Sequence, residues 1–400
     1  MKRFLALLLL TALTGCAQSA TGWTTYGGDS TRALVADERG PRRERLLWVA
    51  NLAATDPGSP VVDQEGNVYV PHSGGSLTRI DRDGTVQWRY DSWVSQDGAR
   101  PPLAGIGSEG EVLISTLHHE QSFRLNKQGD LLDVEPWLPW PAANNPAIIG
   151  NGYTVVCNQY VAGADSVGLR IYGLAPEGEP LWSLKFEDED AVWSGSIPVL
   201  QPDGTAYVFV ETTGPGNNRL LAIAPDGAIA WESEFVSEET RAVGLAIAAA
   251  EDGTVYFGSD RVEDINRLYS PGWLYAVDKD GNLRWRVDAG QRVVQIMAAP
   301  DYVVANVLRT RLLALNADGN TRWEFEFEGW ESNCLMDSRG TIYLAGVKDG
   351  RVWLRAVSNR GRLLWDFDSG QAAGAVSFLA LDQGRLYLAT DTGMLLAFGD

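Results

Sequence analysis

The chain has 400 residues, 45% of them apolar, and a formal charge of −19 from 52 acidic and 33 basic residues. So acidic a chain repels nucleic acid and anionic lipid, and no basic stripe interrupts it, so neither a nucleic-acid partner nor membrane attachment through a basic patch is expected. The apolar content excludes a disordered chain.

Residues 1–15 begin with Lys2 and Arg3, continue through an apolar run too short to span a bilayer, and end in small residues, the pattern of an export signal. Their junction, "LTGC", resembles the bacterial lipobox, so Cys16 is expected to carry a lipid and Ala17 to direct the protein to the outer membrane of a two-membrane cell. Removal of the signal takes the charge from −19 to −21, and membrane attachment is then expected from the lipid alone. Residues 16–44 form the lipidated N-terminus and a leader containing "WTTYGGDSTR".

From residue 45 onward the chain repeats. A Gly-x-x-x-Trp turn recurs as Gly84/Trp88, Gly178/Trp182, Gly227/Trp231, Gly281/Trp285, Gly319/Trp323 and Gly361/Trp365, and a seventh turn keeps Gly129 but has Asp133 in the tryptophan position. Eight apolar strands, "DQEGNVYV" the first and "DQGRLYLA" the last, are each opened by a second turn, at intervals of about 40–50 residues. This is the period of a four-stranded propeller blade. The chain ends on a unit lacking its tryptophan strand and begins, at "RLLWVANL", with a tryptophan strand lacking its hairpin. Pairing the two closes the ring without an open sheet edge. We therefore expect an all-β, eight-bladed propeller of four-stranded antiparallel blades over residues 45–400.

The repeat sorts the tryptophans. Trp48, Trp88, Trp182, Trp231, Trp285, Trp323 and Trp365 start outermost strands, where the rings can wedge between blades as fasteners. Trp93, Trp137, Trp140, Trp193 and Trp330 fall between blades, near the acidic run 187–190 and on the same face as the long insertions 158–168, 211–219 and 259–272. Aromatic rings amid charge suit a partner-binding surface. The alternatives are that some of these rings plug the channel mouth, or that Trp137 stands in for the fastener missing at Asp133.

Candidates for chemistry are few. His118 and His119, being adjacent on a strand, point to opposite faces and cannot share a metal, while His72 and His118 occupy corresponding hairpins where a shared metal is conceivable. "DRDG" and "DKDG" lack the later oxygen ligands of a calcium loop and read as hairpin turns. Cys157 and Cys334 lie half a ring apart and should be free, buried thiols. No catalytic residue, metal or cofactor is assigned.

The repeat, with alanine five residues before the glycine in "AIAPDGAIAW", "AVDKDGNLRW", "ALNADGNTRW" and "AVSNRGRLLW", resembles the pyrroloquinoline-quinone-type (PQQ-like) propeller repeat. The resemblance implies either a quinoprotein dehydrogenase, with quinone, calcium and an aspartate base, or a non-catalytic envelope lipoprotein of the BamB type. The adjacent cysteine pair of many dehydrogenases is missing here. The expected function is a lipid-anchored envelope scaffold facing the periplasm, binding envelope proteins such as an outer-membrane assembly complex. A carbohydrate- or ligand-binding envelope protein fits the same features.

Overall fold

The computed structural model describes residues 23–400 apart from 26–27, 55–56, 94–102, 108–109, 116–120, 137–144, 151–152, 162–166, 176–178, 187–191, 196, 213–218, 234–239, 262–271, 309, 328 and 330. Eight antiparallel sheets follow one another along the chain, each running from an inner to an outer strand. Blades 1 to 7 begin with inner strands ending at Val62, Ile106, Gly150, Leu200, Ala249, Ala298 and Met336. In blade 4 the inner strand is interrupted, Val192–Gly195 and Val199–Leu200 both pairing with Ala206–Thr212. Blade 8 is built from Ala380–Asp382, Arg385–Ala389 and Met394–Phe398, with Leu46–Asn51 as its outermost strand. The ring is thus closed by the N-terminal strand, as the two incomplete sequence units require.

Within a blade the recurring residues stack across the sheet. Ala222, Ala276, Ala314 and Ala356 stand opposite Trp231, Trp285, Trp323 and Trp365 on the outer strand. On the other side of three of these alanines lie Tyr207, Tyr256 and Tyr343, whose rings reach over the small side chain to within 5.7–5.9 Å of the tryptophan. Blade 1 keeps the same ring pair, Tyr69 and Trp88 at 6.0 Å, across Arg79, so the alanine is common at this position without being required by the rings. One extra residue, a β-bulge, sits just before the tryptophan, as Arg284 does between Leu283 and Trp285. Side-chain direction alternates along a strand, so the bulge decides which face the indole takes. Leu47 is the same bulge at the seam, between Leu46 and Trp48, which gives blade 8 the register of a continuous blade although its two outer strands come from opposite chain ends.

Six of the seven fasteners complete a joint with the next blade, Trp365 being the exception because the outer strands of blade 8 are not linked by a turn. The indole Nε1 of Trp48, Trp88, Trp182, Trp231, Trp285 and Trp323 donates to the backbone oxygen of Arg82, Lys127, Pro225, Lys279, Ala317 and Asn359, at 2.8–3.0 Å. The ring then lies on the glycine two residues further on: a Cβ at Gly84, Gly129, Gly227, Gly281, Gly319 or Gly361 would stand 2.6–2.9 Å from it. These glycines also have φ between +70° and +90°, so both sterics and backbone select them. Gly-x-x-x-Trp is therefore two half-joints: the glycine receives the previous blade's ring, and the tryptophan enters the next blade's turn. At Asp133, opposite Arg124, the ring is missing.

Cys157 and Cys334 are buried and unbridged, in blades 3 and 7. Burial raises both thiols, that of Cys334 to about 12, so neither is a thiolate at neutral pH.

Candidate functional site

The propeller offers two faces. Hairpins joining second to third strands, and crossings from outer strand to the next inner strand, lie on the loop face. The tight Asp/Gly hairpins lie on the opposite, turn face. The turns spend their carboxylates locally: Asp81 Oδ1 accepts from the backbone N–H of Asp83 and Thr85, and Asp278 Oδ1 from those of Asp280 and Asn282. The aspartates of "DRDG" and "DKDG" are thus turn caps, as expected.

On the loop face, Trp93 follows the outer strand of blade 1 and is 62% exposed, with one edge against the buried Phe123 of blade 2 at 5.3 Å. Beside it Arg89 pairs with Asp91 and donates to the carbonyls of Leu52 and Ala53, tying blade 1 to the crossing from blade 8. His72 is buried at the same end, its Nε2 2.8 Å from Thr78 Oγ1. Burial, and then the Arg89 charge, depress the imidazole to about 4, so it is neutral at physiological pH. Among the described residues no cluster of His, Cys, Asp or Glu could hold a metal. Trp193 lies on the Val192–Gly195 strand of blade 4 and not in a loop. Cys16, Trp137, Trp140, Trp330, His118 and His119 lie outside the described residues. Two further tryptophans at the loop-side ends of third strands carry cations: Arg286 sits over Trp273 at 4.4 Å and Lys348 over Trp353 at 5.2 Å. They escape a reading based on the fastening turn because neither follows one.

The turn face holds a feature that the repeat does not encode. The leader circles the inner rim, its carbonyls meeting the last N–H of one inner strand after another. Val62 donates to Trp23, Ile106 to Thr24, Leu200 to Ser30, Ala249 to Thr31, Ala298 to Ala33 and Met336 to Leu34, at 2.8–3.0 Å. Blades 1, 2, 4, 5, 6 and 7 are engaged in order. The physical reason is that an inner strand has no neighbour on its axial side, so its terminal N–H needs a partner from elsewhere. Trp23, 2% exposed, joins Leu34 and Ala36 in one apolar cluster with residues of blades 1, 6, 7 and 8, filling the turn-side mouth.

The leader leaves over blades 7 and 8. Asp337, fully buried, accepts from the N–H groups of Gly40, Arg339 and Thr341 and pairs with the Arg339 guanidinium, which also donates to the Gly40 carbonyl. The Tyr343 hydroxyl donates to Pro41 O, and the N–H groups of Arg42 and Arg43 to Asp400 Oδ1. This clamp delivers the chain to Leu46 and the closing strand. Nearby, Asp382 is 4% exposed and its Oδ2 has no hydrogen-bond partner among the described residues. Its hairpin is only two residues, Gln383 and Gly384, both at positive φ. The N–H groups that cap Asp63 in a longer turn, those of Glu65 and Asn67, have no counterpart here. Burial, and then the charges of Glu38 and Asp63, against the opposing pull of Arg82, raise the Asp382 carboxyl to about 7.

A family model described as outer membrane protein assembly factor BamB matches residues 168–329, from the third strand of blade 3 to the end of blade 6. The chain is built of PQQ-like repeats resembling those of BamB. No curated protein matches it by sequence. Among solved structures, BamB from Moraxella catarrhalis superposes with a TM-score of 0.62 at 16% identity, over 90% of this chain and 98% of that one. The computationally designed protein Ika8 gives a TM-score of 0.65 at 11% identity, over 89% and 100% of the two chains. Virginiamycin B lyase from Staphylococcus aureus gives 0.52 at 14% identity, over 90% and 100%. At these identities the likenesses concern the fold. A propeller of this kind hosts both an assembly factor and a lyase, so function must be argued from faces and sites.

Proposed function

We propose that this PQQ-like propeller is a non-catalytic interaction scaffold of the cell envelope, anchored through a lipid on Cys16, with its loop face holding a protein partner in the manner of BamB. The observation that carries the reading is the BamB family match across blades 3 to 6. Those residues contain two of the three long loop-face insertions whole, 211–219 and 259–272. Trp93 supports it: a large ring, mostly exposed and steadied by one edge contact, has the character of a binding anchor. Outer-membrane localisation and assistance to β-barrel assembly are the most concrete form of this role.

Co-purification tests it. Tagged full-length chain, crosslinked in membranes and extracted in mild detergent, should bring down envelope proteins, and Trp93→Ala should weaken their capture while keeping the wild-type melting temperature. A purified protein carrying bound quinone and calcium, read by absorption and mass spectra, would instead assign the dehydrogenase role. Retention of a sugar by the wild type without any protein partner would assign ligand binding.

A further inference from the structure

We infer that the mouth filled by the leader is the membrane-facing end of the propeller, its exposed arginines lying against phospholipid headgroups and the loop face pointing away from the bilayer. The inference rests on the lipid anchor at Cys16 proposed above and adds to it a direction.

The tether is short. Trp23 is held at the turn-side mouth by the Val62 N–H, and Cys16 lies only seven residues upstream. Seven extended residues span at most about 25 Å. To reach the loop face, the tether would have to cross a blade four strands wide and then climb its height. At about 4.8 Å per strand and 3.3 Å per residue, that path is roughly 35 Å or more. The axial route is occupied where it begins, by Trp23, Leu34 and Ala36. A lipid on Cys16 therefore holds the turn face close to the membrane.

The distribution of charge favours the same face independently of the tether. Where the leader leaves the rim, residues 37–45 place Arg39, Arg42, Arg43 and Arg45 in solvent. Four arginines stand there against Asp37, Glu38, Glu44 and Asp400, a local balance in a chain whose carboxylates outnumber its cations by 52 to 33. The backbone that carries them is held in place. Asp337 and Tyr343 clamp Gly40 and Pro41, and Asp400 fixes Arg42 and Arg43. Arginine suits phosphate because its planar fork donates two hydrogen bonds at once. The acidic remainder of the propeller is then turned from the bilayer surface, where it would be repelled.

Blade 7 supplies the test, since Asp349 and Arg360 are both exposed and lie at opposite ends of the strand Arg351–Val357, on the loop and turn faces respectively. Arg360→Cys and Asp349→Cys are made separately in the full-length lipidated protein and labelled with a thiol-reactive fluorophore. Cys157 and Cys334 are buried and stay unlabelled in the native fold. The proteins are placed in phosphatidylethanolamine/phosphatidylglycerol vesicles containing headgroup-nitroxide lipid, after the N-terminal peptide has been weighed for its lipid. Quenching at position 360 is expected to be about threefold or more stronger than at 349, given a separation of roughly 20–25 Å. Reversing Arg42 and Arg43 to Glu should narrow the ratio without releasing protein from vesicles. Lipidated protein quenched equally at both positions, or more at 349, overturns the orientation and leaves the anchor standing. A ratio unmoved by charge reversal overturns the headgroup contact. An N-terminal peptide without lipid overturns the anchor, and the orientation with it.

Discussion

The indole of Trp231 rests on Gly281 of the following blade, its Nε1 donating to Lys279 O at 2.8 Å, and a Cβ on Gly281 would stand 2.9 Å from the ring. Gly281→Ala should therefore cost more than the backbone term alone. Gly370 is the control: it also has positive φ, at +72°, but nothing lies within 4 Å of where its Cβ would be. Gly370→Ala is expected to lose about 1 kcal/mol, and Gly281→Ala about 2–3 kcal/mol, because ring and turn must part. Denaturant midpoints compare the two. Equal losses would show that the joint yields without strain.

The two half-joints explain why the ring was legible in the sequence. A glycine and a tryptophan four residues apart recur because each blade must both accept and supply a ring, and the period of such units is the period of blades. The closure was legible for a similar reason, since Leu47 and Trp48 repeat the bulge and ring of six other outer strands. The leader was not. It makes its contacts through its own backbone carbonyls, which any residue supplies, so "WTTYGGDSTR" carries no pattern that would place it around a rim. The arginines at 39–45 form no stripe in the sequence; the clamp at Asp337 and Asp400 fixes the backbone that presents them together. Trp193 looked like a loop residue because the interruption of the blade 4 inner strand leaves no mark in the repeat.

Installing the missing ring should strengthen the weakest joint. Arg124 faces Asp133 just as Arg79 faces Trp88, so the register in blade 2 already admits an indole. Gly178 occupies the receiving position in the sequence of blade 3. Asp133→Trp is expected to stabilise the propeller by about 1–2 kcal/mol, less than full burial of a ring would give, since these tryptophans remain partly exposed. A raised melting temperature at unchanged oligomeric state supports the joint. A lowered one would mean that this turn cannot receive a ring.

Asp382 should make stability depend on pH near neutrality. Its carboxyl is raised to about 7 in the fold, against about 4 in an unfolded chain, so the folded state favours the protonated form. The stabilisation is complete below pH 4 and is lost as pH rises towards 7, the sense opposite to that of a salt-bridged carboxylate. Asp382→Asn keeps the shape and removes the titration. It is expected to match wild type near pH 4.5 and to melt higher at pH 8, by about 2 kcal/mol once screening through Arg82 is allowed for. A constant offset across pH would instead assign the effect to packing.

Removing the leader separates its two roles. Deleting residues 23–36 takes away the carbonyl partners of six inner strands and the buried Trp23, yet leaves the clamp and the closing strand Leu46–Asn51 in place. The freed N–H groups at the opened mouth can turn to water, so each lost bond costs only about 0.5–1 kcal/mol, with the exposed Trp23 site adding to the total. The expected product is a monomer that melts well below wild type. Deleting residues 23–51 removes the outermost strand of blade 8 as well, exposing Met394–Phe398 as an unpaired edge. Such an edge invites pairing with another chain, so this variant should form oligomers or aggregate. Light scattering and thermal melts of both variants decide the matter. If the shorter deletion melts like wild type, the leader's bonds do not hold the rim. If the longer one stays monomeric at an unchanged melting temperature, the N-terminal strand does not close the ring.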